Sequence, residues 1–261
     1  MREAIDWADT VWIEWANELA VNASKYINIW DKDVYCRLHS YEALANYPAQ
    51  IDWRVFKKLI FVAPHIQDII FDQWPTIKRV VDTEIIYNGV DPVKPIGKPG
   101  YNIAVVGGIS HKKAPELALQ VLKFLPFGYN LYFAGAFQEK RYELYLKHIV
   151  KEMEIENRVH FLGHVENMDE FWKDKNFLLN TSIHEGHNVS ILEAMARDIK
   201  PMIHNFKGAT ELYPSEFLFD FLPVAKLKIL EKPYGSSQNV LKLKGWTKKN
   251  QIEKIKRVLD V

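Results

Sequence analysis

Short apolar runs alternate with amphipathic stretches along most of this chain, and that alternation predicts its elements. Asn102–Val106, Asn130–Phe133, Arg158–Leu162, Phe177–Leu179 and Pro201–His204 read as strands. Between them lie helical patterns at Pro115–Phe124, Arg141–Met153, Met168–Lys173 and about Val189–Arg197. In the second of these, Leu146, Ile149, Val150 and Met153 recur at helical spacing. Upstream, strands are expected at Thr10–Trp15, Val34–Leu38, Lys58–Val62 and Glu84–Tyr87, with helices near Asn17–Tyr26, Ile51–Phe56 and His65–Phe71. Thr247–Leu259 carries Ile252, Ile255 and Val258 on one helical stripe and reads as a terminal helix. Strands alternating with helices of this length predict parallel sheets covered on both faces. No internal repeat interrupts the pattern.

Punctuation divides the chain. Asn88-Gly89-Val90-Asp91-Pro92, followed by Pro95, Gly97, Pro99 and Gly100, has the Gly/Pro density of a linker. The expected organisation is a first domain over residues 1–95, a second over 96–245 and a terminal helix over 246–261. Two α/β units joined this way would face one another across a cleft at the carboxyl ends of their strands, where ligands of open parallel sheets bind.

Composition narrows the class. Of 261 residues, 48% are apolar and 26% charged, the balance of an ordinary globular protein. A net charge of +1 supplies no field for nucleic acid or an anionic membrane, so no nucleic-acid partner is expected. Cys36 is the only cysteine, which excludes a disulfide framework and a thiolate metal site; a buried inert thiol on a strand is the expected role. Met1-Arg2-Glu3-Ala4-Ile5-Asp6 carries charge where a signal peptide would be apolar, and no run nears the ~18 residues of a spanning helix. The expected location is the cytoplasm, with peripheral membrane contact left open.

Two segments carry candidate chemistry. In Val105-Val106-Gly107-Gly108-Ile109-Ser110-His111-Lys112-Lys113-Ala114-Pro115 a strand ends in two glycines, and Pro115 suits the first position of a helix. Two lysines ahead of a helix N-terminus suit a phosphate or diphosphate. On this stretch alone, a glycine turn with solvated lysines reads equally well. The second segment, Ser182 to Ala196, again runs from a strand through a small-residue turn into a helix, with Glu185 in the turn and Glu193 in the helix. Their eight-residue separation would span about 12 Å if wholly helical, too far for a glycosidase pair at ~5–9.5 Å. It suits two carboxylates that grip separate diols of one extended ligand, as riboses and sugars both offer. A solvent-facing Glu193 is the competing reading, opposed by its flanks Ile191, Leu192, Ala194 and Met195.

Glu185-Gly186 followed by Glu193-Ala194-Met195-Ala196 resembles the E-x7-E motif of the retaining GT-B glycosyltransferases of family 4, the large group 1 family. Asn88-Gly89-Val90-Asp91, Val159-His160-Phe161-Leu162-Gly163-His164-Val165, Lys200-Pro201-Met202-Ile203 and Gly208-Ala209-Thr210-Glu211-Leu212 extend the resemblance over about residues 84–220. It implies two Rossmann-like α/β domains facing a cleft, the first of them abbreviated. It also implies a metal-independent hexosyltransferase with no cofactor, whose co-substrate is a UDP-, GDP- or ADP-linked sugar and whose acceptor is a carbohydrate, lipid or small molecule. Glu185 would hold hydroxyls of the transferred sugar, Glu193 the ribose, and Lys113, with Lys112, the diphosphate. Gly107, Gly108 and Ser110 would form the phosphate loop, and Gly186, His187, Asn188 and Val189 the sugar–phosphate pocket. Gly163, His164 and Val165 would lie near the base, and His39 would be the cleft histidine of the first domain, with a capping or core histidine as its rival reading.

Departures from the family pattern are specific. Gly108 stands where the family often has an arginine, and Ala114 where it usually has glycine. Asn188 replaces the second glycine of the turn, and its tolerance of left-handed geometry would preserve it. Asp31-Lys32-Asp33 could hold a metal but reads better as a solvated turn ahead of a strand. The alternative function is a nucleotide-sugar-binding protein or partner subunit without activity of its own.

Overall fold

The computed structural model describes residues 1–96, 99–231 and 235–260; Gly97 of the expected linker lies outside the described residues. The chain divides into two units, Met1–Asn88 with Gln251–Val261, and Gly89–Asn250. The division falls ahead of the expected 95/96 boundary. Among the described residues the strands form two wholly parallel sheets, which is the expected α/β class.

In the first unit, β1 (Thr10–Ile13), β2 (Asp33–Leu38), β3 (Lys58–Phe61) and β4 (Asp82–Ile85) lie side by side in chain order. Helices Glu18–Ser24 and Pro64–Gln73 sit between strands, the first capped by the Asn17 side chain accepting from Leu19 N–H. Cys36 is fully buried on β2, and burial first, then Glu42 and Glu14, pushes its thiol well above the ordinary range, so it is inert as expected.

The expected helix at Ile51–Phe56 is instead a single 3-10 turn, Trp53–Val55. Ile51, Trp53, Val55 and Phe56 are all buried and leave no polar stripe, while the Asp52 side chain accepts from Arg54 N–H. A helix this short lacks the hydrogen bonds to offset its nucleation. Arg2–Trp7 forms a further helix that periodicity did not predict. The terminal helix, Lys248–Leu259, places Ile255, Val258 and Leu259 against Tyr35, Ile60, Ile86 and Trp12. Its apolar stripe therefore completes the core of the first unit.

The second unit holds β5 (Asn102–Val106), β6 (Asn130–Ala134), β7 (Val159–Phe161), β8 (Phe177–Asn180), β9 (Lys200–His204) and β10 (Leu218–Phe219). Their order across the sheet is β10-β9-β8-β5-β6-β7. Winding runs outward from β5 through β6 to β7, and then outward the other way from β8 through β9 to β10, the Rossmann order. The reversal lies between β5 and β8, which pair at Ile103 with Phe177 and Ala104 with Leu178. Strands in such a sheet are covered on both faces, and all four residues of β8 are buried accordingly. Ile103, Leu131, Phe133, Leu179 and Met202 form the core with Leu119 and Leu122 of helix Pro115–Phe124 and Leu146 of helix Lys140–Glu152. Helices Leu222–Leu230 and Ser237–Leu243 were not expected. No helix among the described residues is long and apolar enough to cross a membrane.

One backbone feature fixes how the lysine loop meets its helix. Lys112 and Lys113 lie in a 3-10 turn, His111–Lys113, and Ala114 then adopts φ 40° and ψ 54° to launch the helix at Pro115. The left-handed region costs a residue with a Cβ about 1–2 kcal/mol, which explains the glycine usual there in the family it resembles. Replacing Ala114 by Gly should relieve that strain and lose part of the gain to chain entropy. The expected net effect is a stabilisation of about 0.5–1 kcal/mol, read as a rise of roughly 1–4 °C in the melting temperature of the second unit. A lower melting temperature in the variant would contradict the strain assignment.

Candidate functional site

All strands of the second sheet run the same way, so the segments after them gather along its carboxyl edge. After β5 comes Gly107-Gly108-Ile109-Ser110, and after β8 comes Thr181 to Asn188. These are the two connections at the winding reversal, where open α/β sheets leave room for a ligand. Gly107 takes φ 122°, a conformation glycine reaches without penalty. A close approach also requires glycine after β6: a Cβ on Gly135 would lie 2.0 Å from the Gly107 carbonyl. Gly107 N–H donates to Ala134 O at 3.0 Å and Ile109 N–H to Ala136 O at 2.9 Å, which fixes the loop along β6.

The lysines of one segment meet the acid of the other. Lys113 Nζ donates to Glu185 Oε1 at 2.6 Å and Lys112 Nζ to Glu185 Oε2 at 3.1 Å. Ser182 Oγ adds a third bond, to Oε1, at 2.8 Å. Backbone contacts hold the segments together beneath these charges. Ile183 N–H donates to Lys112 O at 3.0 Å, and Thr181 Oγ1 donates to Lys113 O at 2.8 Å. Glu185 is 5% exposed. Burial pushes its carboxyl up, but Lys113, Lys112 and the Ser182 hydroxyl outweigh burial and hold it below the ordinary range. Glu185 is therefore an anion at neutral pH, sharing two cations.

The rest of the turn is braced from behind. The His187 side chain is buried and meets Trp246 edge-on at 4.6 Å, with Tyr213 at 6.5 Å. Burial, then the Glu185 charge, pushes the Tyr213 hydroxyl far up, so it stays neutral. His187 thus contributes its ring to the core and leaves its backbone to the turn. Asn188 departs from expectation. It has φ −71° and ψ 117°, not left-handed geometry, and its side chain accepts from Ser190 N–H at 2.9 Å as the cap of helix Val189–Ala196. An Asn side chain is among the best helix caps, so the replacement of glycine here is a capping choice. Gly186 is buried, and Val189 opens the helix with an exposed side chain.

Glu193 is half-buried in that helix and belongs to a different electrostatic neighbourhood. Burial first, then Asp169, pushes its carboxyl up, against the pull of Arg197 and Trp172. Arg197 donates to Glu193 O at 3.0 Å and ion-pairs with Asp169. Gly163, at φ 69°, follows β7 and bridges to Gly135, so the Gly163-His164-Val165 turn lies on the same carboxyl edge, beyond β6. His164 is exposed there. Ser110 caps no helix by its side chain and starts the lysine turn. A Cβ on Gly108 would lie 2.5 Å from Gln138 Nε2, so the space open to an arginine in the family holds a Gln138 amide.

His39 lies in the first unit, just past β2. Its ring stacks on Trp15 at 4.2 Å, and its Nε2 lies 3.0 Å from Glu14 Oε1. Arg37 Nη1 donates to the same oxygen at 3.1 Å and Trp12 Nε1 to Oε2 at 2.8 Å. Burial would raise the Glu14 carboxyl, yet His39, Trp12 and Arg37 together lower it. Asp31, which ends the 3-10 turn Ile27–Asp31, and Asp33, which opens β2, are both exposed, and Asp33 pairs with Lys57 at 3.0 Å, so the pair is solvated but spans a turn end and a strand start. No group of three His, Cys, Asp or Glu able to hold a metal occurs among the described residues.

Sequence reasoning missed Glu14, Ser182, Thr181, Tyr213 and Trp246. Glu14 was within reach of it: it follows β1 as His39 follows β2, and Ile13 pairs with Cys36. Strand register alone places these residues on neighbouring strand ends.

Comparison with known proteins bears on both units. No curated protein shows a significant sequence match to the chain. Among solved structures, that of HepE from Anabaena, in complex with UDP and glucose, is similar with a TM-score of 0.84 at 18% identity, over 99% of this chain and 79% of that one. The lipopolysaccharide outer core galactosyltransferase WaaB, in its apo form, gives 0.75 at 15% identity, over 99% and 78%. Sucrose-phosphate synthase from Thermosynechococcus elongatus gives 0.71 at 15% identity, over 97% and 73%. At these identities the likeness shows the fold, which is GT-B. Residues 91–217, which hold both the lysine loop and the Glu185 turn, match the family described as glycosyl transferases group 1.

Proposed function

We propose that the protein is a glycosyltransferase that moves a sugar from a nucleoside-diphosphate sugar to an acceptor hydroxyl, and that it uses a uridine-linked donor. One observation carries the reading: Lys112, Lys113 and Glu185 meet at the winding reversal of a Rossmann-ordered sheet, beside two helix starts. The base assignment is supported by the structural likeness to HepE, which binds UDP and UDP-glucose.

In this reading the diphosphate takes the ammoniums of Lys112 and Lys113 and the amides that follow β5 and β8. Cations and oriented amides fixed in advance stabilise the charge that grows on a leaving diphosphate, with no metal needed for that task. Glu185 accepts hydrogen bonds from hydroxyls of the transferred sugar, and Glu193 from the ribose diol. Glu193 is suited to that part because its half-buried carboxyl is poorly served in the free protein and gains by accepting two hydroxyls. We assign transfer with retention of anomeric configuration, as in the family that the Glu185–Glu193 motif resembles. We assign the acceptor, a carbohydrate or lipid, to the first unit, with His39, whose Nε2 lies 3.0 Å from Glu14 Oε1, as the residue that would meet its hydroxyl.

Two measurements check these roles. Titration calorimetry with UDP, GDP and ADP should detect binding of UDP, and Glu193→Ala should weaken it about 10–100-fold, the loss expected for a net of one hydrogen bond to a charged group. Absence of binding by all three nucleotides would sink the donor-site reading. Donor hydrolysis or transfer across a panel of UDP-sugars should fall at least about 100-fold in Glu185→Ala. Undiminished turnover in that variant would remove Glu185 from the sugar site.

A further inference from the structure

The carboxyl end of the first sheet carries an exposed indole beside the polar cluster of Glu14, Arg37 and His39. Trp15 comes next after Glu14 at the end of β1, and its ring stacks on the His39 imidazole at 4.2 Å and 25°. With one face against that imidazole, Trp15 is still 46% exposed. Its backbone is firmly held. The following amide, Ala16 N–H, donates to Glu42 Oε1 at 3.0 Å, and both Ala16 and Glu42 are wholly buried. A buried carboxylate thus ties the segment after β1 to the 3-10 turn Glu42–Leu44, which follows His39 in the chain. An aromatic group fixed in this way loses little freedom when a ligand lies on it.

Its neighbour narrows what that ligand can be. Glu14 meets the same imidazole, with Oε1 3.0 Å from His39 Nε2, and its side chain is partly open to solvent. A hydrocarbon chain laid here would strip water from the carboxylate and return no hydrogen bond. A sugar satisfies both surfaces. Its ring offers an apolar C–H face to the indole and hydroxyl donors at the rim to the carboxylate.

We propose that Trp15 is the stacking platform of an acceptor subsite, and that the acceptor is a glycan of at least two sugars. The inference rests on the assignment of the acceptor to the first unit and narrows it. Stacked rings lie about 4.5 Å or more apart, so a sugar on the open face of Trp15 sits roughly 9 Å from the imidazole, with the indole between them. A base needs its hydroxyl within about 2.6–3.2 Å. The ring on Trp15 is therefore not the ring that reacts at His39. The reacting hydroxyl belongs to its neighbour in the glycan, past the edge of the indole.

The test measures transfer by the whole protein from a UDP-sugar, or from the GDP- or ADP-sugar if that is the base bound. The acceptors are glucose, galactose and N-acetylglucosamine, their α- and β-linked linear oligosaccharides, and octyl glucoside. At least one oligosaccharide should be used about 10-fold better in kcat/KM than its own monosaccharide, the scale of one stacked ring with its buried apolar area. That ratio should fall close to unity in Trp15→Ala and be partly kept in Trp15→Phe. Both acceptors meet the same His39, so any disturbance of the imidazole cancels from the ratio. Equal use of monosaccharide and oligosaccharide by the unmodified protein overturns the platform, whether or not the variants fold. A ratio that survives in a folded Trp15→Ala does the same. Transfer to octyl glucoside in place of every oligosaccharide, or to no acceptor from a donor that the protein binds, overturns the glycan assignment. Failure to bind UDP, GDP and ADP would instead overturn the donor-site reading.

Discussion

A buried carboxylate shared by two lysines joins the two halves of the second sheet at the place where their winding parts. The strand order obliges the connections after β5 and β8 to diverge, since one leads to a helix on one face and the other to a helix on the opposite face. Left unlinked, they would leave a polar gap. Glu185, held by Lys112, Lys113 and Ser182, closes that gap with charge, and the backbone pairing of Ile183 with Lys112 closes it with geometry. The aromatic brace of His187, Tyr213 and Trp246 then keeps the turn from relaxing inward. An edge tied this way is held in one arrangement by charge and by backbone pairing together.

What the sequence made legible follows from the range of the interactions involved. Strands buried on both faces are short unbroken apolar runs, and β5, β6, β8 and β9 stood out for that reason. Helix Leu222–Leu230 stayed hidden because its apolar residues spread round the helix and leave no stripe. In the site, Lys113, Glu185 and Glu193 were legible through short motifs and the resemblance they carry. Ser182 was passed over although it lies three residues from Glu185, because a serine near a turn has many uses. Tyr213 and Trp246 reach the turn from 26 or more residues away, a contact that no local pattern encodes.

The departures from the family pattern divide into those the fold absorbs and one that alters the chemistry. Ala114 accepts left-handed geometry at a cost, and Asn188 turns the loss of a glycine into a helix cap. Neither moves the groups that would meet a ligand. Gly108 is different, because it supplies no side chain and the Gln138 amide lies 2.5 Å from where its Cβ would be. A neutral donor in place of a guanidinium leaves Lys112 and Lys113 as the cations of the loop, and that raises the importance of what those two lysines hold.

The first unit solves a similar problem without a winding reversal. Its strands follow chain order, so the described sheet offers no point where neighbouring connections part. Its polar groups instead gather where parallel register aligns strand ends: Ile13 opposite Cys36 brings Glu14 beside Arg37 and His39. There a single carboxylate serves an indole, a guanidinium and an imidazole at once. Both units therefore centre their polar edge on one glutamate with several donors, and they differ in what the donors can do next. Lysine ammoniums sit on flexible four-carbon stems and can change partner. Arg37, itself buried and also bonded to Ile86 O and Asn88, is held in place, so Glu14 keeps its position and orients His39.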